Sequence, residues 1–227
     1  MDDRQNVLSR APLFEALDED GARALRSRMN DVELSRGERL FAEGDEGDRL
    51  YVVLDGKIKL TRAAPDGREN LLSVVGPGEM FGELSLFDPG PRNATATAVA
   101  DTHLIGLGNE DLTTWLTGRP DVARHLLRAL ARRLRRTNDY LADLVFSDVP
   151  GRVAKALLDL SERFGQPTED GLRVAHDLTQ EELAQLVGAS RETVNKALAD
   201  FASRSWLRLE ARAVVLLDIE RLRRRAR

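Results

Sequence analysis

The stretch from Asp121 to Val145, DVARHLLRALARRLRRTNDYLADLV, constrains this chain more than any other. It holds no proline and no glycine, and the strong helix formers leucine, alanine and arginine dominate it. Leu127, Leu130, Leu134, Thr137, Leu141 and Leu144 alternate at spacings of three and four, the a/d seam of a coiled coil. A helix of roughly 25 residues is about 38 Å long, more than a small domain needs internally. Such a seam predicts a partner helix. Thr137 interrupts an otherwise all-leucine line, and a polar group there is a cost unless it sets the register or meets something polar.

At 227 residues the chain has room for one large domain or two small ones. Its longest apolar runs, such as Ala213 to Leu217, are far too short to span a bilayer. The first residues, MDDRQNVLSRAP, lack the apolar core of a signal peptide. Without cysteine there are no disulfides, zinc–thiolate sites or iron–sulfur clusters. The expectation is a soluble cytoplasmic protein with no membrane partner. Net charge is −4, with 20 basic and 25 acidic residues in 1–147 and 14 and 13 in 148–227. Any case for nucleic acid must therefore rest on where charges stand.

Residues 5–30 read as short helices, with Asp18 as an N-cap. From Val32 to about Leu107 glycines punctuate short β-type runs: LYVVL (50–54), KIKLTR (57–62), NLLSVV (70–75), TATAVA (95–100) and HLIGL (103–107). Asp55-Gly56 and Asp66-Gly67 are turn dipeptides, and the first separates two runs at hairpin spacing. This texture predicts an antiparallel sandwich or barrel such as a jelly roll. The long helix follows. Ser147-Asp148-Val149-Pro150-Gly151 then breaks the pattern and marks a boundary and hinge. A helix over Gly151–Phe164 and a polar loop over Gln166–Gly171 come next.

Thr179 and Glu182 form a capping box opening a helix over Gln180–Val187, which Gly188 ends. Ser190 caps a further helix from Arg191 to about Ser203. Two short helices around V-G-A-S are helix-turn-helix geometry, and the runs 206–210 and 213–219 flanking Ala211-Arg212 read as a wing. Arg191, Glu192 and Lys196 stand at the end of the second helix that reaches base edges, where arginine and lysine suit guanine and glutamate accepts from cytosine N4. In the β-rich region, FGELSLFDPGPRNAT (81–95) combines tight backbone with Glu83 and Arg92. It reads equally as a small phosphate site or as a loop with a surface ion pair between those two residues. The run Arg132-Arg133-Leu134-Arg135-Arg136 reads as arginines flanking the seam, and the tail RLRRRAR (221–227) as phosphate-contacting or simply solvated. His103, His125 and His176 follow no ligand spacing, which argues against a metal site and against a cupin-type metalloenzyme; no catalytic residues are assigned.

GDRLYVV (47–53), FGELSLFDPGPR (81–92), LARRLRRTN (130–138), DVPGRVAKALL (148–158) and LTQEELAQLVGASRETVNKAL (178–198) together resemble the cAMP receptor branch of the Crp/Fnr transcription regulators, in the version found in high-GC Gram-positive bacteria. The resemblance implies an α+β chain and a non-enzymatic regulator. Its parts are an N-terminal β-roll (jelly-roll) cyclic-nucleotide-binding domain over residues 1–118, a dimerisation helix over 119–147 and a C-terminal winged helix-turn-helix over 148–227. It also implies cAMP as allosteric effector, a homodimer, a palindromic double-stranded DNA operator similar to the family's TGTGA…TCACA, and RNA polymerase as a partner. Carried over by motif, Gly82, Glu83 and Leu84 hold ribose and phosphate, Arg92 pairs the phosphate, and Thr137 and Asn138 contact adenine across the dimer. Arg191, Glu192 and Lys196 read bases, while Thr179, Gln180 and Ser190 touch DNA phosphates. Two positions depart from the pattern: Asn93 replaces a Ser or Thr beside the phosphate-binding arginine, and Lys196 replaces an arginine without its bidentate fork. A relative that ignores cAMP and binds DNA constitutively is the rival within the same class.

Overall fold

The computed structural model describes residues 7–64, 67 and 69–227. The Asp66-Gly67 turn expected from sequence includes Asp66, which lies outside them. The chain divides into two compact units, Met1–Arg135 and Arg136–Arg227.

In the first unit, α1 (Glu19–Arg26) is capped by Asp18, whose carboxylate accepts from the Gly21 N–H at 2.8 Å. Eight strands follow: β1 (Asn30–Leu34), β2 (Arg39–Phe41), β3 (Arg49–Asp55), β4 (Ile58–Ala63), β5 (Glu69–Val75), β6 (Met80–Phe81), β7 (Thr95–Ala98) and β8 (Thr102–Gly108). They form two antiparallel four-stranded sheets, β1-β8-β3-β6 and β2-β7-β4-β5. Side-chain alternation along β3 feeds two cores at once. Leu50, Val52 and Leu54 pack with Leu13, Leu25, Trp115 and Leu126, while Tyr51 and Val53 join Ile58, Phe81 and Leu104. Helices α2 (Leu84–Phe87), α3 (Asn109–Leu116) and α4 (Pro120–Phe146) complete the order up to and through the long helix.

The Asp55-Gly56 turn is not a hairpin. β3 and β4 lie in different sheets, and the turn is a corner that carries the chain from one to the other. Gly56 has φ +78°, and a Cβ there would stand 2.3 Å from the Asp101 carbonyl oxygen. The Thr102 hydroxyl accepts from the Lys57 N–H at 3.1 Å and fastens the corner. Hairpin spacing alone does not reveal which sheet each strand joins. The β4–β5 pair is the antiparallel neighbour instead.

The second unit begins within α4 and continues with α5 (Val149–Phe164), β9 (Gly165–Pro167), β10 (Leu172–Ala175), α6 (Gln180–Val187), α7 (Arg191–Ser203), β11 (Leu207–Glu210), β12 (Ala213–Leu216) and α8 (Ile219–Arg225). The Pro-Gly pair expected to break the pattern is the first turn of α5. Asp148 caps it by accepting from the Gly151 N–H at 2.9 Å, and proline is well tolerated where N–H groups lack intrahelical partners anyway. Of the polar loop expected over Gln166–Gly171, Thr168–Gly171 is a turn, while Gln166 and Pro167 belong to β9, which pairs with β10, and β10 gains a full ladder from β12. Tertiary pairing overrides weak local propensity there. Val153, Leu157, Val174, Leu183, Val194, Leu198, Phe201 and Val214 make one core. Among the described residues no helix is long and apolar enough to cross a membrane.

Candidate functional site

Arg92 is the centre of the first site. It is 4% exposed, and the backbone fixes it at both ends: its N–H donates to the Asp45 carbonyl and its carbonyl accepts from Gly44, each at 2.8 Å. Its Nη1 donates to the Gly82 carbonyl at 2.8 Å and its Nη2 to the Arg49 carbonyl at 2.7 Å. The guanidinium carbon sits 4.2 Å from the centroid of the Phe41 ring, within range of a cation–π contact. Two glycines make this approach possible. At Gly47 a Cβ would stand 2.3 Å from the Ser85 side chain, and at Gly82, with φ +78°, it would stand 2.9 Å from Arg92 Nη1.

The surface ion pair considered for Glu83 and Arg92 does not form. Glu83 is 1% exposed and its Oε1 accepts from Arg133 Nη1 at 2.8 Å. Arg92 has no carboxylate partner among the described residues, and both its charge and that of Glu83 are inside the protein. Burial pulls the Arg92 guanidinium below its ordinary pKa, against the pull of Tyr51, Asp48, Asp45 and Glu83. Three polar atoms of the site are left without partners: the donors Arg92 Nε and Arg49 Nε, and the acceptor Glu83 Oε2. A buried group in that state costs about 1–3 kcal/mol. The site therefore suits a ligand that offers an anionic acceptor to the arginine and a hydroxyl donor to the glutamate. A phosphorylated sugar does both. The short helix α2 starts directly after Glu83, whose carbonyl accepts from the Leu86 and Phe87 N–H groups at 3.0 and 3.2 Å.

Leu84 is half-exposed at the start of α2, and Asn93 is exposed beside Arg92. A cavity of about 300 Å³ lined by Leu86, Phe87, Leu112 and Leu116 includes neither Arg92 nor Glu83 and has no charged lining. It does not fit a nucleotide phosphate. Gly47, Arg49, Phe41 and Arg133 belong to the site but were not singled out from sequence. The first two lie in the GDRLYVV segment. Arg133 was hidden in an arginine run where neighbouring positions look alike and only helix phase picks one out.

On α4 most of the seam is exposed, with Leu130 half-buried. Leu127 is 66%, Leu134 62% and Leu141 55% exposed in the single chain, and Thr137 and Asn138 are exposed as well. Stripes of this kind on a monomer mark an association surface.

The second site is the helix-turn-helix. Thr179 accepts from the Glu182 N–H at 3.1 Å while Glu182 accepts from the Thr179 N–H at 2.7 Å. Gly188 closes α6 in the left-handed conformation, φ +69°, with Tyr140 and Leu144 of α4 against it. Ser190 accepts from the Thr193 N–H at 3.2 Å and starts α7. Arg191, Glu192 and Lys196 all project from the exposed face of α7, with Lys196 donating to Glu192 at 2.7 Å across one helical turn. Thr179, Gln180 and Ser190 are exposed at the helix starts, and the wing β11–β12 turns at Ala211-Arg212, where Arg212 has φ +56°.

Residues 31–117 match the cyclic nucleotide-binding domain family, and residues 151–225 match the Crp-like helix-turn-helix domain. The chain is 57% identical over 221 residues to the CRP-like cAMP-activated global transcriptional regulator of Mycobacterium tuberculosis, covering 97% of this chain and 99% of that protein. It is 38% identical over 213 residues to the cyclic AMP receptor protein of Thermus thermophilus, covering 92% and 95%. Among solved structures, a CRP-family transcriptional regulator from Thermus thermophilus superimposes with a TM-score of 0.73 at 30% identity, covering 86% of this chain and 96% of the other.

Proposed function

The chain belongs to the Crp-like transcription regulators, and from that premise we propose that it is a cAMP-gated homodimer that binds a palindromic operator and contacts RNA polymerase from it. It is a regulator and not an enzyme. The observation that carries the effector reading is that Arg92 Nε and Glu83 Oε2, a donor and an acceptor on adjoining segments, are both buried and unsatisfied, with Arg49 Nε a further such donor beside them. A cyclic nucleotide brings a phosphate oxygen to the first and a ribose 2′-hydroxyl to the second. Gly82 and Leu84 let the backbone close on the phosphate, and Asn93 stands beside it with an amide able to donate. Thr137 and Asn138 serve the adenine from the partner's helix, with the exposed leucine seam bringing the two helices together.

On the DNA, Arg191, Glu192 and Lys196 read base edges in the major groove. Thr179, Gln180 and Ser190 hold phosphates beside it. Such a dimer works in the cytoplasm, where genomic DNA and polymerase are.

Calorimetry tests the reading directly. The wild type should take up one cAMP per subunit and bind it more tightly than cGMP, because Thr137 and Asn138 can accept from an exocyclic amino group where guanine presents a carbonyl. Arg92→Ala should lose most of the binding. Equal affinity for the two nucleotides would remove the adenine-reading role, and undiminished binding by Arg92→Ala would remove the phosphate role.

A further inference from the structure

The C-terminal helix α8 places arginines at 221, 223, 224 and 225, and Arg227 follows it. Leu222 is buried and anchors the helix. Arg221 faces Asp218 at 3.5 Å, Arg223 pairs with Glu220 at 2.7 Å and Arg225 with Asp148 at 2.6 Å. Arg224 and Arg227 are exposed and have no acidic partner among the described residues. Two cations thus remain uncompensated on this arm.

Arg225 determines where that charge stands. Its ion pair is with the N-cap of α5, and a Cβ on Gly151 would lie 3.3 Å from both Arg225 Nη1 and its carbonyl oxygen. Arg152, the next residue, donates from Nε to the Val187 carbonyl at 3.0 Å and from Nη2 to the Gly188 carbonyl at 3.2 Å. Those carbonyls belong to the turn that leads into Ser190 and the exposed start of α7. Arg225, between the two free arginines in sequence, is therefore linked through the first turn of α5 to the approach to the recognition helix.

We propose that Arg224 and Arg227 form a second phosphate-binding strip that engages the DNA backbone flanking each half-site, outside the stretch whose bases are read. The inference rests on the DNA-binding reading above. When the start of a recognition helix enters the major groove, whatever adjoins that start is brought to the bordering backbone. Duplex DNA carries about one negative charge per 1.7 Å of axis, so a cation arriving there releases counterions. The contact is indifferent to sequence.

The test is fluorescence anisotropy on the full chain with cAMP, on a long palindromic duplex, as a function of salt. Replacing both residues with glutamine (R224Q/R227Q) removes four cations per dimer and should make the slope of log K against log salt shallower by about 3.6. Operator and scrambled duplexes should weaken by the same factor. R224K/R227K should restore the slope, since a point charge suffices. Trimming the duplex to the two half-sites should abolish the difference between wild type and the glutamine variant. An unchanged slope on the long duplex, or a difference that survives trimming, overturns the strip. Melting temperatures of the variants, expected to match wild type, exclude a folding effect. Failure of the wild type to bind the operator at all would instead refute the DNA-binding reading itself.

Discussion

Glu83 shows how a single side chain is left half satisfied. Arg133 occupies one of its oxygens, and the other is buried with nothing to accept from. In the proposed reading a ribose 2′-hydroxyl completes it, and a hydrogen bond to a charged group contributes about 1.5–3 kcal/mol. Wild type should therefore bind 2′-deoxy-cAMP at least about tenfold more weakly than cAMP, and Glu83→Ala should bind the two alike; competition against a fluorescent nucleotide measures both. Asp148 makes a prediction of another kind. The Arg225 guanidinium, and then the Gly151 N–H, hold its carboxyl below the usual carboxylate range. A depressed pKa stabilises the fold at pH values above the unfolded value, about 3.9, and that contribution is lost as pH falls through the folded value. Asp148→Asn should be less stable than wild type at neutral pH, through a lost ion pair and a weaker cap, and the two should converge as the solution is acidified. Denaturation midpoints measured between neutral pH and about pH 3 check this.

At the scale of elements, the long helix was legible almost to its ends, since periodicity and the absence of breakers depend only on neighbours in sequence. The sequence interval Asp121–Val145 became Pro120–Phe146. The capping box, the Gly188 turn and the Ser190 cap were legible for the same reason. What was not legible depended on distant chain. Strand β10 exists because β12 offers it a ladder, and β2 and β6 are too short, at three and two residues, to leave a pattern. The partnership of Glu83 with Arg133, fifty positions apart, was invisible too. Thr137 carries the prediction that belongs to this scale. A leucine there completes the apolar seam and should supply part of the bias that nucleotide provides. Thr137→Leu should bind cAMP more weakly yet bind operator DNA better than wild type when no nucleotide is present. Anisotropy with and without cAMP decides it. A variant no better than wild type without cAMP would mean that the seam is not the switch.

At the scale of the whole molecule, two-fold symmetry would turn one recognition helix into a pair spaced by about one helical turn of DNA, or roughly 34–36 Å. Selectivity then multiplies over half-sites, and so do losses. Arg191→Ala should cost on the order of 1–3 kcal/mol per base contact and relax the preference for one guanine. Glu192→Ala should relax a cytosine while strengthening binding to unrelated sequence, because it removes an acid from beside phosphates and frees Lys196 from its 2.7 Å partner. A selection of bound sequences from a randomised half-site reads both effects. The β-domain imposes a further condition, one of timing. Asn30 pairs with Gly106 and Leu34 with Thr102, so β1 leaves the ribosome and waits for a neighbour synthesised roughly 70 residues later. At about 5–20 residues per second the nascent chain holds an unpaired strand edge for about 4–14 s. The sheet around the effector site therefore closes late in synthesis, and chaperone demand should rise with any change that slows translation between Leu34 and Gly108.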